Sequence, residues 1–206
     1  MAVLEFCAEN FTDVPRAVAA GVGRIELCDN LAVGGTTPSY GVIARAAVAT
    51  RGSATVLSVM IRPRGGDFVY NDDEFKIMET DIRMAKDAGA DALVFGVLTP
   101  DGRIDVDRMG ILMDWAEDTP VVCHMAFDAV GDPAEALEAL IELGVSLVLT
   151  HGAPAGEPLG VDRLRALREQ AAGHIGLMIG GGVTAANHQA LLTATGLTHA
   201  HGTKII

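Results

Sequence analysis

The chain reads as a single (β/α)8, TIM-type barrel whose working face lies at the carboxyl ends of its strands. Three observations predict this. Short β-branched apolar runs alternate throughout with stretches of helical period, the runs number eight, and no segment between them has the composition of a linker. At 206 residues and half apolar composition, the chain can bury one sizeable core, and ~100–200 residues is the usual domain unit. One domain over residues 1–206 is therefore expected.

The strands are expected at Val3 to Cys7, Arg24 to Cys28, Thr55 to Ile61, Ala92 to Phe95, Pro120 to His124, Ser146 to Thr150, Ile175 to Ile179 and Leu197 to Ala200. Helical stretches lie between them, among them Asp73 to Ala88, Pro133 to Leu143 and Val161 to Ala171, with Gly21, Gly89, Gly144 and Gly173 as stop signals. Asp132 before Pro133, and Thr184 before Ala185-Ala186, are the expected helix starts. An open doubly wound sheet would usually carry a glycine fingerprint after its first strand, where this chain has Cys7-Ala8-Glu9-Asn10. With the last strand so near Ile206, no eighth outer helix is expected. The gap would expose strand surface for a subunit partner or a neighbouring segment to cover.

The formal charge of −12 argues against nucleic acid, whose affinity rests on Lys and Arg neutralising phosphates, and against an anionic membrane surface. The first residues carry no basic region and are interrupted by Glu5, so no secretory signal and a cytoplasmic location are expected. From Gln170 to Thr203 there is no Asp, Glu, Lys or Arg, but Gly180-Gly181-Gly182, Asn187, His188 and Gln189 divide that stretch into turn and helix pieces. Three cysteines, Cys7, Cys28 and Cys123, cannot all pair within the chain, and free thiols are expected.

Strand period two places Glu5 with Cys7, and Glu26 with Cys28, on one face, while Leu4, Phe6, Ile25 and Leu27 take the other. The apolar set belongs against helices, so the Glu and Cys residues point into the barrel. Met60 and Arg62 share the inner face of the third strand. An inward Glu needs a partner, and Glu26 with Arg62 is the expected pair, acting either in catalysis or as a structural ion pair. Arg64-Gly65-Gly66-Asp67 and Asp101 follow strands three and four, His124 and Asp128 lie on or after strand five, and His151 and His201 follow strands six and eight. Gly180, Gly181 and Gly182 before a helix, with Arg64 and His201, form the expected anion site, because backbone amides at such a junction approach an anion closely. Cys7, Cys28 and Met60 on three neighbouring strands offer the soft sulfur that Cu(I) prefers, and Cys123 is expected to pack against helices.

Leu4-Glu5-Phe6-Cys7, Arg24-Ile25-Glu26-Leu27-Cys28, Gly34-Gly35-Thr36-Thr37-Pro38-Ser39, Met60 to Phe68, Phe95 to Gly102, His124-Met125-Ala126-Phe127-Asp128 and the glycine triplet run through nearly the whole chain in order. Together they resemble the CutC copper homeostasis family. The resemblance implies a TIM-type barrel, a cytosolic location, frequent dimers and a role in copper handling, with the motifs around one mouth. Three features depart from the family's pattern: Met125 stands where an arginine is usual, His151 where a small serine is usual, and the usual C-terminal tail is shorter. Two functions follow. One is a copper binder, with Cys7 and Cys28 as Cu(I) ligands and Met60 or His124 nearby. The other is an enzyme on a small anionic or sugar-like metabolite, with Glu5, Glu26, His124 and Asp128 as acid–base groups and Arg62, Arg64 and the glycines holding the anion.

Overall fold

A computed structural model describes residues 2–154 and 156–206. Eight parallel strands close into a barrel in chain order: β1 (Val3–Glu9), β2 (Arg24–Cys28), β3 (Val56–Met60), β4 (Ala92–Val94), β5 (Val121–Cys123), β6 (Leu147–Thr150), β7 (Gly176–Ile179) and β8 (His199–Gly202). Helices follow the first seven: α1 (Val14–Ala19), α2 (Tyr40–Thr50), α3 (Asp72–Ala88), α4 (Val106–Ala116), α5 (Pro133–Glu142), α6 (Val161–Ala171) and α7 (His188–Thr195). None of the helices is long and apolar enough to cross a membrane, among the described residues.

Local signals account for the helix ends. Asn71 caps α3 in a reciprocal box with Glu74, and the helix closes at Gly89 with φ +101°. Asp132 accepts from the amides of Ala134 and Glu135 ahead of Pro133. Two expected boundaries move. Helix α7 begins at His188, not near Thr184, because Thr184 pairs in a bridge with Lys204 and its amide donates to the Asn187 side chain. Strand β8 runs over His199–Gly202: Gly196 ends α7, and the Val3 amide donating to the Thr198 carbonyl is the first rung of the ladder that pairs Val3 with His199. His201 is therefore inside the last strand and not beyond it.

The sheet sorts its residues as period two demands. Leu4, Phe6, Ala8, Ile25, Leu27 and Cys123 join the main core between strands and helices, while Cys7, Cys28, Met60, Val94, Val122, Leu147, Leu149 and Met178 form a second cluster inside the barrel. Among the described residues no helix follows β8. The chain instead folds its own end across that strand: Ala185 donates to the Lys204 carbonyl, Ile205 is buried, and Ala200 on the outer face is fully covered. The neighbouring segment thus covers the place where an eighth helix would pack.

Gly202 makes that closure possible. A Cβ there would lie 2.3 Å from the Val183 carbonyl oxygen. Gly202→Ala should lower unfolding free energy by ~2 kcal/mol or more, whereas Gly41→Ala, in α2 with nothing within 4 Å of its added carbon, should raise it by ~0.5–1 kcal/mol. Urea unfolding of the two variants beside the parent checks both signs.

Candidate functional site

The register of β8, β1 and β2 brings a charged layer together inside the barrel. Glu5 lies opposite His201 on one side and Arg24 on the other. Its two oxygens accept from His201 Nδ1 at 2.8 Å and Arg24 Nε at 2.8 Å, and Arg24 Nη2 donates to Ser58 Oγ at 2.6 Å. Burial pushes the Glu5 carboxyl up, but the hydrogen bonds and charges of His201 and Arg24 outweigh it and hold the group below the usual carboxylate range. Burial also opposes a charged His201 ring. The Glu26 carboxyl, the Cys7 sulfur and Glu5 around it prevail and raise it well above an ordinary histidine.

One layer above, Glu26 Oε2 receives both thiols, Cys7 Sγ at 3.3 Å and Cys28 Sγ at 3.5 Å, and lies 3.8 Å from His201 Nε2. Donor atoms of Cys7, Glu26 and His201 all lie within 4.8 Å of one another. The Cys28 thiol beside Cys7, with help from His201, draws the Cys7 pKa well below its usual value despite burial. Its neighbour moves the opposite way: proximity to Cys7 and burial raise Cys28 well above. Burial raises Glu26, and the negative neighbours add to that. Cys123, facing the helices as expected, is pushed by burial to about 12 and takes no part.

The expected Glu26–Arg62 pair does not form. Ser58, not Arg62, lies opposite Glu26, and four further residues at ~3.3 Å each carry Arg62 beyond the end of the strand. There its guanidinium donates to the carbonyls of Val33, Gly35 and Gly66 at 2.8–2.9 Å and stacks over Phe68 at 4.9 Å. Arg64 is also placed differently from expectation. Glu74, Asp67 and the Val69 carbonyl occupy it, so it braces the loop into α3 and offers no free cation to an anion.

Asp128 is likewise committed, accepting from Thr150 Oγ1 at 2.5 Å and the His151 amide at 2.8 Å. The His151 ring sits between the carbonyls of Gly180 and Glu157. Gly180, Gly181 and Gly182 form the turn after β7, but with α7 starting at His188 they do not lead directly into a helix. Gly180 is needed for packing, since a Cβ there would lie 2.6 Å from Leu149 Cδ1. The anion site expected from Arg64, these glycines and His201 is therefore not assembled, and His201 belongs to the thiol cluster.

A cavity of about 180 Å³ remains above that cluster, with Cys7, Glu26, Met60, Arg62, His124 and His201 in its wall and Leu31, Phe68 and Met125 at its rim. Of the predicted site residues, Glu26, Arg62, His124, Cys7 and His201 meet here; Glu5 lies beneath and Asp128 to one side. Arg24 and Ser58 were missed, although period two places Arg24 on the face of Glu26 and Cys28. His124 is buried, its ring is 4.9 Å from Phe68, and its Nδ1 accepts from the Ala126 amide. Burial and the Arg62 charge depress its pKa to about 3.

The family model named CutC family matches residues 2–206. The chain belongs to the CutC family. A family protein CutC of Streptococcus pyogenes is 50% identical over 208 residues, covering 99% of this chain and 100% of the relative. The copper homeostasis protein cutC homolog of Homo sapiens is 45% identical over 199 residues, covering 97% of this chain and 72% of that protein. The crystal structure of CutC from Streptococcus agalactiae superposes with a TM-score of 0.96 at 47% identity, over 100% of both chains. The CutC relationship accounts for the motif order along the strands and confirms the TIM-type barrel.

His124 gives this CutC barrel an acid sensitivity. Folded, it stays neutral down to about 3; unfolded, it takes up a proton near 6.5. The unfolded chain holds more protons between those values, so stability is lost as pH falls through the window. Urea unfolding should show a loss of ~2–3 kcal/mol from this group between pH 6.5 and about pH 4.5, and His124→Phe should flatten that part of the profile.

Proposed function

We propose that this chain binds Cu(I) as cargo through the sulfurs of Cys7 and Cys28, with His201 Nε2 as a third donor. The observation that carries the reading is the meeting of two thiols and an imidazole at one buried carboxylate oxygen. Thiolate and imidazole suit a soft, low-coordinate ion, and Cys28 and His201 hold the Cys7 pKa well below its usual value, which eases loss of its proton to a metal. Glu5 holds His201 Nδ1, which aims Nε2 at the sulfurs in the way a carboxylate orients a ligating histidine. Met60 adds a thioether to the same wall.

The thiols are also protected from pairing with each other. Cys7 lies opposite Glu26, so Cys28 stands two residues further along, a Cα separation of ~8 Å from strand spacing and rise, beyond the reach of a disulfide. A reducing cytoplasm and a dimeric assembly belong to the same reading, supported by the free cysteines and by the family resemblance. A two-fold mass in light scattering at micromolar concentration tests the dimer. The name of the human relative supports the copper role.

Anaerobic Cu(I) titration against a competing chelator tests the centre. One-site binding is expected, weakened at least ~100-fold by Cys7→Ser or Cys28→Ser and ~10–100-fold by Glu5→Gln. Binding must displace protons from Cys28 and His201, so affinity should rise with pH. Affinity indifferent to both cysteines would refute the reading.

A further inference from the structure

The proposed copper centre lies inside the barrel, so an ion must reach it from one end. Below the thiols the way is blocked by a paired layer, where Glu5 is 1% exposed and both its oxygens are held by Arg24 and His201. Above them the cavity of about 180 Å³ leads out among Leu31, Gly34, Phe68, Met125 and Thr203, which all lie beyond the carboxyl ends of the strands. Cys7, 6% exposed, lines this cavity, whereas Cys28 is fully buried and does not. Cys7 is thus the first thiol that an incoming ion meets.

The rim opposes a bare cation. Leu31, Phe68 and Leu149 are apolar, and the Arg62 guanidinium, stacked on Phe68 at 4.9 Å, adds positive charge to the same wall. An ion that leaves water here loses solvation that these groups do not return. Met125 differs from them. It heads the short turn Met125–Ala129 after β5, is partly buried, and packs on the cluster of Cys7, Cys28 and Met60 while lining the cavity. That turn is fixed on either side of it, by His124 Nδ1 accepting from the Ala126 amide and by Phe127 buried in the main core. A thioether is soft and uncharged, and it binds Cu(I) without giving up a proton. With Met60 deeper in the wall at 3% exposure, sulfur donors run inward from a neutral, accessible one to ionisable, buried ones.

We infer that Met125 is the entry ligand for Cu(I): its sulfur takes the ion at the rim and passes it to Cys7 by ligand exchange, without belonging to the final centre. The inference rests on the copper reading above. In the exchange the Cu–S bond to Met125 breaks as the one to Cys7 forms, the thiol proton leaves to water, and the copper stays Cu(I). A ligand used only in passage lowers the barrier equally in both directions. It therefore changes the rates of loading and release together and leaves the equilibrium constant alone.

Anaerobic stopped-flow mixing of the full-length protein with Cu(I) held by acetonitrile, followed by the ultraviolet band of the Cu(I)–thiolate bond, reads loading, and transfer to excess chelator reads release. Met125→Leu, which keeps the volume and removes the sulfur, should slow both at least ~10-fold and leave the Kd within ~3-fold of the parent. Met125→Ala separates chemistry from access: it widens the rim, so a steric gate would load faster, whereas loss of an entry ligand slows loading as the leucine variant does. As an independent readout, Ag(I), a redox-inert ion of the same softness, is titrated into protein carrying Cys7→Ser and Cys28→Ser with isotope-labelled methionine methyl groups. The Met125 methyl signal should shift with Ag(I) and stay in place with Zn(II). If the parent shows no cysteine-dependent equilibrium binding, the copper reading fails and this inference with it. Intact equilibrium binding with Met125→Leu loading within ~3-fold of the parent, a Kd that weakens in step with the rate, faster loading in Met125→Ala, or a Met125 methyl unmoved by Ag(I) would overturn the entry role alone.

Discussion

A single buried carboxylate at the seam of the barrel organises the interior. Glu5 sits where the first and last strands meet and accepts from Arg24 on β2 and His201 on β8. Removing one partner would strand charge inside the barrel, a cost of several kcal/mol in comparable buried networks. The same oxygens therefore close the sheet and set the orientation of the histidine that faces the thiols. Everything above this layer inherits its geometry: the Cys7–Glu26–His201 cluster, then the cavity, then the loops that end on Arg62.

The inside of the barrel is thus stacked by charge and softness. Hard, fully paired ions form the lower layer, and polarizable sulfur with one carboxyl forms the middle. At the top, a guanidinium and an imidazole share a small space with apolar side chains. Keeping these layers apart holds paired ions and polarizable sulfur at different depths of one narrow interior.

Much of this was legible in the residues. The alternation Leu4-Glu5-Phe6-Cys7 and Ile25-Glu26-Leu27-Cys28 states which side chains enter the barrel, because a strand repeats every two residues and only one face can meet the helices. Asp132-Pro133 and the glycine after α3 mark helix ends through local chemistry. Register is a different matter. Nothing local places Ser58 opposite Glu26, and that pairing sends Arg62 past the strand end and away from its expected carboxylate. The apolar Leu197 likewise disguised the start of β8, hiding that His199 and His201 face inward. Arg64 and Asp128 looked functional because charged loop residues often are; their partners, Glu74 and the His151 amide, are set by how loops fold back in space.

The pairing of β1 with β8 also bears on how the protein is made. Val3 to Phe6 must find His199 to Gly202, a contact between strands at opposite ends of the sequence, and such non-local pairings form late. The edge of β1 away from β2 has no partner other than β8 in the barrel. Until β8 pairs, β1 keeps an unpaired strand edge, the condition in which a chaperone or a neighbouring chain is most able to engage it.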